Sequence, residues 1–245
     1  MSDQRSERQL QLDYHRAADL AHVAWQTRGP YFAATEAHLL QSIHLDAGER
    51  LLEIGCGEGA NLHHLRGLKG TRFGIDFSKQ KSRAARSTGA FVACADATRL
   101  PFAEASFDVV LIRDLLHHVP TRLDVLTEAH RVLRPGGRLH VIEANGRAPL
   151  ALLQAIIIRA ERGLLKSTSR RLRDELEATG FRHIEFIAEQ PFPLERLVLH
   201  PKIGFPQLGR LAIVREALDA FHQAAERVIP QLAWLYLCFS ATKVD

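Results

Sequence analysis

Two spacings divide the chain. Over 8–27, Leu10, Tyr14, Ala17, Ala21, Ala24 and Trp25 recur at helical intervals, and over 31–44 Phe32, Leu39, Leu40 and Ile43 do the same, with Gly29-Pro30 between the two stretches. Two amphipathic helices are expected there. From Arg50 onward short apolar runs take over. The runs at 51–54, 72–75, 91–94, 107–112 and 138–142 read as strands, and the stretches at 61–68, 78–87 and 121–133 read as helices between them. The run at 107–112 is nearly continuous in apolar residues, as a strand covered on both faces should be. Strand and helix in alternation predict an α/β fold with a parallel sheet and helices on both faces. Beyond it the pattern predicts a helix at 172–179 stopped by Gly180, a strand at 182–188, a long amphipathic helix at 208–229 and a last strand at 234–239.

Composition adds little to this picture but excludes much. Hydrophobic residues make up 46% and charged residues 24% of the 245 residues, an ordinary globular balance that rules out disordered, collagen-like and disulfide-scaffold classes. The net charge is +4, and the densest basic run, Arg170-Arg171-Leu172-Arg173, reads as a solvated helix face rather than a nucleic-acid stripe, so no nucleic-acid partner is expected. Cys56, Cys94 and Cys238 stand far apart with no Cys-x-x-Cys pair, which argues for a reducing compartment and against zinc or disulfides. The first residues are polar, and the run at 155–158 is too short to span a bilayer, so a cytoplasmic protein without a membrane span is expected.

Candidate chemistry gathers at the predicted strand ends. Glu53-Ile54-Gly55-Cys56-Gly57-Glu58-Gly59 falls where a strand becomes a helix, and glycines there bring backbone N–H groups close to a ligand. The same spacing suits a nicotinamide-dinucleotide loop or a plain tight turn. Asp76 ends the second strand, where a carboxylate can accept both hydroxyls of a ribose or simply favour a helix N-terminus. Asp96-Ala97 follows the third strand. Next come Ser106-Phe107-Asp108-Val109-Val110 and the run from Glu128 through Arg134-Pro135-Gly136-Gly137.

Taken together these segments resemble the class I S-adenosylmethionine-dependent methyltransferases in their small-molecule branch, closely over 45–145 and loosely elsewhere. The resemblance implies a Rossmann-like, doubly wound, seven-stranded sheet with an antiparallel last strand. It also implies a single domain over 1–245, with a helical lid (1–45), a cofactor core (46–147) and substrate-cap insertions (148–168 and 191–231). It implies S-adenosyl-L-methionine as cofactor, with Gly55, Gly57 and Gly59 around its methionine part and Glu53 ordering the loop and the amino group. Asp76 would take the ribose, Phe77 would pack near the adenine, Asp96 and Ala97 would meet the adenine edge, and Arg113 would contribute mainly through its backbone. In the lid, Tyr14, Trp25 and Arg28 could close over the cofactor. The partner would be a small, hydrophobic or aromatic acceptor methylated at O, N or C. A homodimer stays open.

His117 and His118 follow the fourth strand, at the edge where open α/β sheets bind ligands, and a histidine there can take a proton near neutrality. They are the expected catalytic residues. The segment Asp114 to His118 also resembles the Glu-x-x-Glu-His pattern of metal-using quinone-ring O-methyltransferases, with the acids partly replaced, and no metal is expected. Glu143 and Asn145, at the end of the fifth strand, are the expected substrate contacts. A nucleic-acid methyltransferase and a non-catalytic cofactor-binding regulator are the alternatives; neither an Asn-Pro-Pro-aromatic segment nor a Pro-Cys pair is present to favour the first.

Overall fold

The computed structural model describes residues 9, 10, 13, 29–199 and 204–244. Of the expected first helix only residues 9, 10 and 13 are described, and they are helical; Tyr14, Trp25 and Arg28 lie outside the described residues. The chain then runs α1 (Pro30–Leu39), β1 (Arg50–Ile54), α2 (Ala60–His64), β2 (Thr71–Asp76), α3 (Lys79–Ala85), β3 (Phe91–Cys94), β4 (Phe107–Arg113) and α4 (Arg122–Val132). It continues with β5 (Leu133–Ala144), α5 (Pro149–Ile157), α6 (Ser169–Ala178), β6 (Phe181–Glu189), α7 (Leu194–Val198), α8 (Ala212–Val228) and β7 (Tyr236–Lys243).

The strands form one seven-stranded sheet in the order β3-β2-β1-β4-β5-β7-β6. β1, β2, β3, β4 and β5 pair in parallel, and β7 lies antiparallel between β5 and β6. This is the expected fold class. β4 shows why the sheet needs helices on both sides. Its side chains alternate in direction, so Val110 and Ile112 join one core with Val125, Leu126 and Ala129 of α4 and Leu172 and Leu176 of α6. Val109 and Leu111 join the other, with Leu62 of α2, Ala85 of α3 and Ala151 and Ala155 of α5. All four β4 residues are completely buried, which the apolar run required.

The expected boundaries shift where local chemistry intervenes. α1 stops at Leu39, where Leu40 and Gln41 tighten to three-residue hydrogen bonds on Ala37 and His38. The long helix begins at Ala212, after a 3-10 turn opened by Pro206. β5 starts at Leu133, and its register on β4 jumps from Phe107↔Leu133 to Val109↔Arg138 because Pro135-Gly136-Gly137 loops out. β7 extends to Lys243 because its polar residues alternate with buried ones and the Lys243 ammonium donates to the Leu133 carbonyl at 2.9 Å. The stretches 148–168 and 191–231 contain α5 and a 3-10 segment, and α7 and α8, respectively.

Candidate active site

The strand order reverses between β1 and β4, and the carboxyl ends of both strands meet there, at the place where α/β sheets bind ligands. The glycine loop after β1 lies there. The amides of Gly55 and Cys56 both donate to the Ile75 carbonyl at 2.8 Å, which ties the loop to β2. Gly57 has φ +53°, and a Cβ built on it would meet nothing within 4 Å, so this backbone faces open space that a ligand can enter. Gly59, at φ +89°, caps α2 in a left-handed conformation, and a Cβ there would press on Ala85 at 3.0 Å.

Two carboxylates flank the loop. Asp76 is buried; its Oδ2 accepts from the Gly57 amide at 2.9 Å and its Oδ1 from the Ser78 amide at 2.8 Å. Burial raises its pKa, and the two amides and Lys81 pull it back. Glu53 is buried more deeply. Its Oε1 accepts from Asn61 at 2.6 Å, while Oε2 is buried with no donor at hydrogen-bond distance. Burial pushes the Glu53 carboxyl up to about 7 against the help of Asn61, Arg113 and the Leu62 amide. An orphaned carboxylate oxygen beside an open backbone is a seat for a cation. Phe77 is partly exposed at the rim, and Asp96 holds the turn after β3 by accepting from the Thr98 amide at 2.9 Å and hydroxyl at 2.7 Å, with Ala97 packed on the core.

The Arg113 guanidinium is tied into the protein: it donates to Asn61 Oδ1 at 2.8 Å and to Glu36 of α1. Glu36 also accepts from Arg196 of α7 at 2.7 Å, and Arg196 donates to the Tyr236 hydroxyl, which in turn donates to Asp114 at 3.2 Å. Burial opposes the charge of Glu36, but Arg113 and Arg196 outweigh it and hold its carboxyl below the usual range. One polar chain thus runs from Glu53 through the sheet edge to α1, α7 and β7. Asn61, Glu36, Arg196 and Tyr236 were not among the sequence candidates. Asn61 had a local signal, standing two residues past Gly59 in the first turn of α2; the others are brought together only by the fold.

Three expected roles are corrected. Glu143 is completely buried and accepts from the Leu115 amide at 2.7 Å, the Leu116 amide at 2.6 Å and His117 Nδ1 at 2.7 Å, so it holds the turn after β4 and has no face left for a substrate. Asn145 donates to the Leu232 and Trp234 carbonyls at 2.8 Å and accepts from the Arg147 amide at 3.0 Å; it staples the end of β5 to the chain before β7. His117 is locked between Glu143 and, at 3.5 Å from Nε2, Glu161. Burial works against its charge, yet Glu143, Glu161 and Asp114 push its pKa up to about 10. It therefore holds its proton at neutral pH and is ill suited to take another. His118 is half-buried, its ring 4.0 Å from that of His117 between centroids. Among the described residues, His117, His118 and Glu161 are the group whose ligand atoms, within 4.8 Å of one another, could share a metal ion.

Comparison with known proteins places this edge among relatives. Residues 52–141 match the family described as "Methyltransferase domain". The chain is 41% identical over 104 residues to 27-O-demethylrifamycin SV methyltransferase of Amycolatopsis mediterranei, covering 39% of this chain and 38% of that one. It is 34% identical over 116 residues to demethylmenaquinone methyltransferase of Staphylococcus epidermidis, covering 44% and 48%. The chain thus spans less than half of these curated relatives. In structure it resembles a SAM-dependent methyltransferase of Thermotoga maritima with a TM-score of 0.68 at 19% identity, covering 96% and 99% of the two chains. It also resembles phosphoethanolamine N-methyltransferase 2 of Haemonchus contortus, solved with S-adenosyl-L-methionine, with a TM-score of 0.64 at 21% identity, covering 87% and 53%.

Proposed function

We propose that the chain, whose residues 52–141 match a methyltransferase domain, is a class I S-adenosylmethionine-dependent methyltransferase that methylates O, N or C of a small, hydrophobic or aromatic metabolite by in-line displacement. The observation that carries the reading is the open space over Gly57, flanked by the Asp76 carboxylate and the unsatisfied Oε2 of Glu53. These groups fit the cofactor. Gly57 and its neighbours would lie along the methionine part, Glu53 Oε2 would accept from the amino group, and Asp76 would accept from the ribose hydroxyls. Phe77, Asp96 and Ala97 would border the adenine. When bound, S-adenosylmethionine supplies a sulfonium methyl already activated for displacement.

The protein's own part is to position the acceptor and exclude water, which can supply most of the acceleration. The buried chain Glu53–Asn61–Arg113–Glu36–Arg196 fixes α1 and α7 against the cofactor edge. We assign proton acceptance, where the acceptor must lose a proton, to His118. His117, gripped by Glu143 and Glu161, positions it. Among the described residues no helix is long and apolar enough to cross a membrane, and the three cysteines are free; we place the protein in the cytoplasm.

The test is a panel of phenols, quinols and amines incubated with the protein and S-adenosylmethionine, with release of S-adenosylhomocysteine as readout. Turnover that depends on the acceptor supports the reading. Tight cofactor binding without turnover of any acceptor favours the non-catalytic regulator instead.

A further inference from the structure

The segment between β5 and α6 presents two kinds of residue to solvent. Helix α5 buries Ala151 and Ala155 against the sheet and turns Leu152, Leu153, Ile156 and Ile157 outward, with Ile156 71% and Ile157 70% exposed. The 3-10 turns that follow bury Ala160, Glu161 and Leu164 and expose Leu165. A run of large exposed aliphatics on one short helix is uncommon for a surface that meets only water. The exposed charges within the same stretch of chain are of one sign. Arg147, Arg159, Arg162, Lys166 and Arg170 are exposed, and the one acid in 147–170, Glu161, is buried against His117.

We propose that this outer face docks on an anionic lipid bilayer, with the α5 aliphatics entering the interface and the flanking cations meeting the headgroups. An apolar helix face ringed by Arg and Lys is the pattern that binds such a surface. The same charges disfavour a second copy as occupant: a two-fold contact would bring this face onto itself and set like charges together. The inner side of the segment packs on the turn after β4, where Glu161 meets His117 and a Cβ on Gly163 would collide with the His117 carbonyl. The docked face is therefore the back of the wall beside the proposed acceptor site, which suits a lipophilic acceptor drawn from the bilayer. That last step rests on the methyltransferase reading; the docking itself does not.

The experiment is co-sedimentation of the full chain with vesicles of phosphatidylcholine alone or mixed with phosphatidylglycerol. The wild type sediments with the mixed vesicles, stays in solution with the neutral ones, and is released by high salt. The doubly substituted Ile156→Glu, Ile157→Glu protein stays in solution with both. Arg159→Ala and Arg162→Ala each weaken binding roughly fivefold, the expected loss for one cation near an anionic surface. All substituted residues are exposed, and circular dichroism of each variant verifies its fold. A wild type that ignores mixed vesicles overturns the proposal. So does undiminished binding by the Glu variant, or a wild-type dimer that this variant dissolves without any vesicle binding. S-adenosylmethionine binding, measured on the same samples, fails or survives independently.

Discussion

Burial changes what the Glu53 carboxyl can do at neutral pH. A carboxyl pushed up to about 7 is only partly ionised at neutral pH, and its ionised form is the one that accepts from an ammonium. Cofactor affinity is therefore expected to fall as pH drops below 7, and in Glu53→Gln to be weaker and flat over the same range; calorimetric titrations at several pH values check this. His117 carries the opposite lesson. Its spacing from the strand end was plain in the sequence, but its partners Glu143 and Glu161 were not, and they convert a candidate base into a fixed cation. Glu143→Gln replaces an acceptor of three hydrogen bonds with a group that also donates, and breaking such a buried pair costs about 3–5 kcal/mol. Denaturant unfolding reads that loss. His118→Ala is expected to lower kcat with little change in cofactor affinity or stability, and unchanged turnover would remove the proton-accepting role from that residue.

Among elements, the glycine loop separates folding from binding. Gly59 sits in a left-handed cap against Ala85, so Gly59→Ala strains both backbone and packing and is expected to lower stability. Gly57→Ala places its methyl in open space and costs roughly 1 kcal/mol for the left-handed backbone alone, yet it is expected to abolish most cofactor affinity by filling that space. Thermal melting and calorimetry on the pair distinguish the two effects. The parallel strands were legible because Leu51, Leu52, Val109 and Val110 are apolar on both faces of a covered sheet. The ends were less so. Lys243 is buried because it reaches the Leu133 carbonyl, a contact that no local pattern announces, and Glu36, Arg196 and Tyr236 meet across long separations in the chain.

At the scale of the whole molecule, one buried histidine gives the stability curve an acid limb. His140, buried in β5, has its pKa pushed down to about 4 by burial first and by its neighbours Arg138 and His44 second. The unfolded chain binds that proton near 6.5, so this residue carries no penalty above 6.5 and stability is lost as pH falls from there toward 4. The shift corresponds to about 3 kcal/mol at most. Replacing His140 with Leu should flatten the acid limb of a stability–pH curve, and a limb of unchanged steepness would point to other groups. At this scale the seven-stranded order and the glycine loop together support one account: an adenosyl cofactor seated on the edge of β1 and β2. Calorimetric titration of the purified chain with S-adenosylmethionine tests it most directly. One equivalent bound, with affinity reduced at least tenfold in Asp76→Ala, is the expected result; no heat of binding in the wild type, or binding indifferent to Asp76, would contradict it.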